Sequence, residues 1–204
     1  TVNGKLVTQM GTQIDPRHDH VRVDGKKVVP DDRVIYMLHK PVQVLSAVSD
    51  PSDRQTVLDL IPEQSQRVYP VGRLDYYSEG LILLTNDGHL TNGLLHPRQH
   101  VPRVYEVKLK GHVEESVLTQ IREGVELDDG KTLPALVEIK DVLEHNTWLK
   151  ITLYEGKNRI IRRMFEKFAH DILRLRRVEF GPLELGDLAP GKYRALTRSE
   201  LGKL

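Results

Sequence analysis

Short strands alternating irregularly with short helices predict an α+β chain built on a mixed, mostly antiparallel sheet with flanking short helices. Three observations carry this expectation. Val104–Leu109 alternates as a half-buried strand does, with Tyr105, Val107 and Leu109 on one face and Val104, Glu106 and Lys108 on the other. Trp148–Tyr154 repeats the pattern, setting Trp148, Lys150 and Thr152 against Leu149, Ile151 and Leu153. The helical stretches are brief, and most are closed by a Pro or Gly.

Residues 1–29 differ in texture from the rest of the chain. Val2-Asn3-Gly4-Lys5 and Val23-Asp24-Gly25-Lys26 each place a turn dipeptide beside β-branched residues, giving two hairpin signals. Too few apolar residues are present for a core, so this stretch reads as an arm or the remnant of a small domain. Pro30-Asp31-Asp32 is its natural boundary.

A strand begins at Val34 and runs to Leu38; after Lys40-Pro41 a second is expected over Val42–Val48. Thr56–Ile61 has helical spacing and stops at Pro62. Leu81–Leu84 is apolar throughout, too short for a helix, and bounded by Gly80 and the turn signal Asn86-Asp87-Gly88. It reads as a buried strand. His89–Leu95 is a helix candidate closed by Pro97, and Val113–Ile121 an amphipathic helix ending near Gly124. Leu133–Ile139 looks like a strand. A helix over Arg159–Phe168 carries Ile161, Phe165 and Phe168 on one face, with Arg159, Arg163, Glu166 and Lys167 mostly opposite. Ile172–Leu175 and Arg177–Phe180 are strand-like, with Gly181-Pro182 as breaker.

With 204 residues, 39% hydrophobic and 29% charged, the chain suits one sizeable globular domain with a small appendage. No apolar run approaches the roughly 18–20 residues of a membrane span, and no basic-then-apolar leader opens the sequence, so a cytoplasmic protein is expected. Zero Cys excludes disulfides, thiolate metal sites and a Cys nucleophile. The net charge of +1 conceals a split: Glu114–Asp129 holds six acids and one base, whereas Lys157–Arg177 holds eight Lys/Arg and two acids. That asymmetry fits one face built for a polyanion.

The chemistry-bearing residues are few. His18/His20 and His96/His100 have loose ligand-like spacing, but Pro97 breaks the second pair, and surface or RNA-facing histidines are the better reading. Neither a P-loop nor a dinucleotide fingerprint occurs. What remains is a carboxylate and a set of cations. Asp75 follows Arg73 in a Gly-led loop anchored by the Leu81–Leu84 strand. Such an Asp is most often half of a surface ion pair, yet loops held on rigid strands are also where chemistry sits. Tyr105 lies in a basic strand, where it is either core or a stacking platform for an unpaired base. Glu155-Gly156-Lys157-Asn158-Arg159-Ile160-Ile161-Arg162-Arg163 crowds cations at the positive end of a helix, an arrangement an anion would relieve.

Gly72-Arg73-Leu74-Asp75, Ser78-x-Gly80-Leu81, Leu84-Thr85-Asn86-Asp87-Gly88, Tyr105 and Glu155-Gly156-Lys157-Asn158-Arg159-x-x-Arg162-Arg163-Met164-Phe165 form a combined pattern. Together they resemble the pseudouridine synthases that modify ribosomal RNA, in the group that joins the A type of the small ribosomal subunit to the B type of the large one. The resemblance runs from about Val34 to the C-terminus, takes in Leu175-x-Arg177 and Phe180-Gly181, and is nearest the B type. Residues 1–30 resemble the second half of an S4-type RNA-binding domain, and 34–204 the catalytic domain. Ile160 stands where the group usually has Gln.

The resemblance implies conversion of a uridine in ribosomal RNA, in a stem-loop of a pre-ribosomal subunit, to pseudouridine. No metal or organic cofactor is needed, and a monomer with no membrane contact is expected. Asp75 would be the nucleophile, Arg162 its ion-pair partner, and Tyr105 the residue that stacks on the flipped base and helps remove the C5 proton. Arg73 would lie against the RNA, and Lys157, Arg159 and Arg163 would neutralise phosphates. Leu153 would form an apolar pocket wall, a place that core packing explains equally well. Two rivals stand beside this reading: a non-catalytic RNA-binding or ribosome-assembly protein of the same fold, and a carboxylate-pair hydrolase of glycosidic bonds.

Overall fold

The computed structural model describes residues 1–15, 18–29, 32–62 and 66–204. The chain divides into two compact units, Thr1–Arg33 and Val34–Leu204. Pro30 and Asp31, two of the three residues at the boundary expected above, lie outside the described residues.

Both expected hairpin turns form in the first unit. Asn3 and Gly4 take φ of 51° and 80° between the bridged residues Val2 and Lys5. Asp24 and Gly25, at 48° and 75°, link β1 (Arg22–Val23) to β2 (Lys26–Lys27). Positive φ at both central positions matches the twist of the flanking strands, which is why Asn-Gly and Asp-Gly sit there.

The second unit is organised on one sheet. Its elements in order are β3 (Ile35–Lys40), β4 (Tyr69–Val71), β5 (Glu79–Thr85), α1 (Gly88–Leu95), β6 (Arg103–Lys110) and α2 (Glu115–Glu123). The small hairpin β7 (Glu126–Leu127) and β8 (Gly130–Lys131) comes next, then β9 (Leu136–Leu143), β10 (Asn146–Leu153) and α3 (Ile160–Lys167). β11 (Ile172–Phe180), β12 (Leu183–Glu184), β13 (Tyr193–Ala195) and α4 (Arg198–Leu201) complete the chain. Among the described residues nine strands form the sheet, in the order β13-β3-β5-β11-β6-β10-β9, with β4 also on β5 and β12 on β11. Every pairing is antiparallel except β11 with β5. The fold is the mixed, mostly antiparallel α+β architecture expected.

β5 is buried along its whole length. Leu81 and Leu83 enter one core cluster, with Phe180 and Leu183; Ile82 and Leu84 enter another, with Leu38 and Val57. A strand covered on both faces reads as a continuous apolar run, which is what Leu81–Leu84 is. Each such side chain contributes about 1.5–3 kcal/mol by leaving water. Gly80 is required where β5 meets β11: with φ of 113°, any Cβ there would lie 2.2 Å from the Arg177 carbonyl oxygen. Asp87 then caps α1 by accepting from the His89 and Leu90 amides. A third cluster packs α2 and α3 against β6 and β10, through Leu118, Ile121, Ile161 and Phe165 on Val107, Leu149 and Ile151.

Four expectations are corrected. Val42–Val48 is no strand: Pro41 lacks an amide hydrogen, Gln43 takes a φ of 62°, and only Leu45 makes an isolated bridge, to Thr56. Thr56–Ile61 is not a helix; the Asp59 carboxylate accepts from both the amide and the hydroxyl of Thr56, folding the segment into turns. The strand expected at Leu133–Ile139 runs instead from Leu136 to Leu143. The two strands expected at Ile172–Leu175 and Arg177–Phe180 are one, interrupted in register on β6 between Ile172 and Arg174 and between Arg177 and Glu179.

Candidate active site

Asp75 lies in the loop between β4 and β5, and backbone hydrogen bonds fix that loop residue by residue. The Ser46 hydroxyl donates to the Leu74 carbonyl at 2.9 Å and accepts from the Leu74 amide at 3.0 Å. The Gln43 amide donates to the Tyr76 carbonyl at 2.6 Å, and the Ser78 amide to the Asp75 carbonyl at 3.0 Å. The Lys40 ammonium donates to the carbonyls of Pro41 and Ser78, each at 2.8 Å. Arg162, from α3, donates through Nη2 to the Tyr77 carbonyl at 2.8 Å. The irregular segment after Pro41, expected as a strand, is therefore the prop beneath the loop.

Lys40 is the residue that sequence reasoning missed. Its side chain has no solvent exposure, and burial pushes its pKa down to about 8, opposed by the carboxylates of Asp75 and Glu79. The available signal was a Lys closing an apolar strand immediately before a Pro, an odd place for a charge unless something buried needs it.

Asp75 is half-buried and lines a cleft of about 430 Å³, a volume within the roughly 300–1,000 Å³ of small-ligand sites. Tyr105 lines the same cleft from β6, opposite Arg177 on β11. Leu74, Ile160 and Leu175 supply apolar wall. Arg73 is exposed at the rim, with no hydrogen-bond or ion-pair partner among the described residues.

The other expected site residues are placed less simply. Arg162 makes no ion pair with Asp75 within 4 Å; its guanidinium is committed to the Tyr77 carbonyl, two residues beyond Asp75. Burial lowers the Arg162 pKa and the Asp75 carboxylate opposes that shift, so the two groups act on each other through space. Lys157 is spent on the protein itself, donating to the carbonyls of Asp129, Gly130 and Lys131. Arg163 grips the Asp129 carboxylate with both terminal nitrogens, at 2.8 and 3.0 Å. Arg159 donates to Glu166 at 3.0 Å. Arg159 and Arg163 thus find carboxylates within the protein, which relieves part of the repulsion for which the sequence suggested an anion, while the Arg159 charge still acts against Arg162. Leu153 is core, 1% exposed among Ile151, Ile161 and Phe165, and does not line the cleft.

Arg103, Arg177 and Ser78 also line the cleft; none was assigned an individual role from the sequence, although Arg177 closes the basic stretch expected to face a polyanion. Arg103 and Arg177 are almost wholly buried, and both guanidiniums lean on the Phe180 ring, at 5.4 and 4.7 Å from its centre. The Ser78 hydroxyl and Nη2 of Arg177 are buried without a hydrogen-bond partner. Among the described residues, no three His, Asp or Glu side chains gather into a group that could hold a metal ion.

The family model described as RNA pseudouridylate synthase matches residues 34–167. Along its whole length the chain is 42% identical to an uncharacterized RNA pseudouridine synthase of Aquifex aeolicus, covering 82% of that protein. It is 39% identical, again over its whole length, to ribosomal large subunit pseudouridine synthase B of Bacillus subtilis, covering 84% of it. A crystal structure of a pseudouridylate synthase superposes over all of this chain and 87% of its own, with a TM-score of 0.76 at 28% identity.

Proposed function

This chain belongs to the RNA pseudouridylate synthase family, and from that premise we propose that it isomerises one uridine of large-subunit ribosomal RNA to pseudouridine in the cleft beside Asp75. The observation that carries the reading is that Asp75 and Tyr105 line one cleft of nucleotide size, with the unpaired Arg73 at its rim. The Bacillus relative, named for the large ribosomal subunit, supplies the substrate class.

In the reaction the N-glycosidic bond of the uridine breaks, the uracil turns, and its C5 bonds to the ribose C1′; the C5 proton leaves and N1 gains one. Atoms balance without oxidant, reductant or water. Asp75 acts as the nucleophile, at C1′ or at uracil C6, or assists formation of a glycal intermediate, and the fixed loop holds its carboxylate in place. A base stacked in RNA cannot reach it, so the nucleotide is flipped, at a cost of a few kcal/mol. Tyr105 stacks on the flipped base, and its phenol assists loss of the C5 proton. Arg73 lies against the opened RNA. Arg162 is a positioning residue: it holds the Tyr77 carbonyl, two residues beyond Asp75. Lys157 and Arg163 serve the protein rather than the RNA, while Arg159 keeps an exposed guanidinium at the surface.

We read residues 1–30 as the second half of an S4-type RNA-binding domain. Supporting this are its tight hairpins and the exposed basic set of Lys5, Arg22, Lys26 and Lys27. The protein acts as a monomer on a stem-loop of the ribosomal RNA precursor, in the cytoplasm.

The deciding experiment incubates large-subunit ribosomal RNA transcripts with the protein and maps modified positions. Pseudouridine at one uridine supports the assignment. An abasic site would assign a glycosidic hydrolase instead, and binding with unaltered RNA would assign the non-catalytic alternative.

A further inference from the structure

We propose that Arg103, Arg177 and Ser78 form an oxyanion subsite in the cleft, which takes a phosphate group of the RNA adjoining the flipped nucleotide. The choice of an RNA phosphate rests on the functional reading above; the oxyanion chemistry rests on the residues alone.

The sheet register assembles the two cations. Gly80 of β5 stands opposite Arg177 of β11, and Arg177 stands opposite Tyr105 of β6. Arg103 is two residues before Tyr105 on the same strand, so the pleat sends both to one face. The missing Cβ at Gly80 allows the backbones to close up there. Arg103, Ser78 and Arg177 all line the cleft with Asp75 and Tyr105.

The charges are not balanced as they stand. Arg103 is 9% exposed and Arg177 3%, and neither has a carboxylate within 4 Å among the described residues. Burial depresses the Arg103 pKa, and the neighbouring charge of Arg177 depresses it further, against an opposing effect of Tyr105. Buried cations without an anion are costly, and the fold tolerates two of them side by side.

The donors are also incomplete. Arg177 gives Nε to the Leu81 carbonyl at 2.8 Å, and Arg103 gives Nη1 to the Val101 carbonyl at 3.0 Å and Nη2 to the Leu94 carbonyl at 3.4 Å. These bonds fix the guanidinium planes but leave Arg177 Nη2 without an acceptor, and the Ser78 hydroxyl likewise. Two cations and a hydroxyl are the donor set for an oxyanion, which guanidiniums hold with planar geometry. A neutral uracil edge would leave both charges uncompensated, and a metal cation would be repelled. A nucleotide entering the cleft brings a phosphate on each side of its ribose, which supplies the anion.

The test titrates uridine, uridine 3′-monophosphate, uridine 5′-monophosphate and inorganic phosphate into the intact chain, reading arginine side-chain NMR signals. One monophosphate should bind about tenfold tighter than uridine, the scale of one charge-assisted hydrogen bond, and shift the Arg177 signal. That gain should vanish in Arg103→Gln and in Arg177→Lys, two variants that alter different backbone anchors and whose thermal melts report their folding. Equal affinity for uridine and both monophosphates overturns the proposal, as does a gain that survives in a folded variant. Inorganic phosphate that binds but is not displaced by either nucleotide overturns the assignment to RNA. Binding is read without turnover: a chain that shows the phosphate gain but forms no pseudouridine keeps the subsite and loses the proposed activity.

Discussion

The ammonium of Lys40, with no solvent exposure, donates to the carbonyl of Ser78 at 2.8 Å, tying the end of β3 to the start of β5 directly under the loop that carries Asp75. Lys40→Met removes that hydrogen bond and leaves the Ser78 carbonyl buried without it, a loss of about 1–3 kcal/mol in chemical denaturation. Activity should fall as well, because the loop loses one of its anchors.

The same lysine sets a pH dependence. Its folded pKa of about 8 lies below the 10.5 of a free lysine, so between those values the unfolded chain binds more protons than the folded one. Stability from this group is therefore lowest below pH 8 and rises as pH climbs from about 8 to 10.5. Urea melts across that window should show the rise in the parent chain and its absence in Lys40→Met.

Asp75→Asn should lower turnover by more than ~10⁴-fold, the scale on which losing a nucleophile acts, while RNA affinity stays largely intact. Tritium release from RNA carrying 5-tritiated uridine measures it. Retained release would remove Asp75 from the nucleophile's role.

Tyr105→Phe keeps the stacking ring and drops the phenol. Single-turnover rates should fall by about 10²–10⁴-fold, the range of general acid–base contributions, with little change in melting temperature. Unchanged rates would leave Tyr105 as a stacking platform alone.

Arg73 and Lys157 were both expected to contact RNA; among the described residues Arg73 is exposed without a partner, whereas Lys157 donates to three backbone carbonyls. Arg73→Ala should reduce the log–log salt slope of RNA binding by roughly one, as loss of a phosphate contact does. Lys157→Ala should leave that slope unchanged and lower the melting temperature, since its ammonium closes the β7–β8 turn by donating to three carbonyls.

Arg162→Lys retains the charge and loses the fork that reaches the Tyr77 carbonyl at 2.8 Å. The rate should drop about tenfold or more while stability changes little, because the side chain positions the loop more than it supports the core. A purely thermal defect would make Arg162 a structural residue.

Local pattern alone determined the buried β5, because four consecutive apolar residues between Gly80 and a turn have one comfortable state. It likewise determined the alternating strands β6 and β10, the hairpins at Asn3-Gly4 and Asp24-Gly25, and the turn at Asn86-Asp87-Gly88 that ends β5. The motif residues Asp75 and Tyr105 were legible for the same reason, since both sit on or beside those strands. What only the tertiary structure decided is who pairs with whom. Whether Lys157 and Arg163 meet an RNA phosphate or the β7–β8 turn depends on residues 26 to 34 positions away. The spacing within Lys157–Arg163 carries no trace of that. The prop at Val42–Ser46 resembled a strand because its apolar residues pack inward from turns as readily as from a sheet. Nothing in the local sequence marked Lys40, Arg103 or Arg177 as buried. Strand register buried them, and burial made them matter, because a charge withdrawn from water acts only on the few groups packed against it.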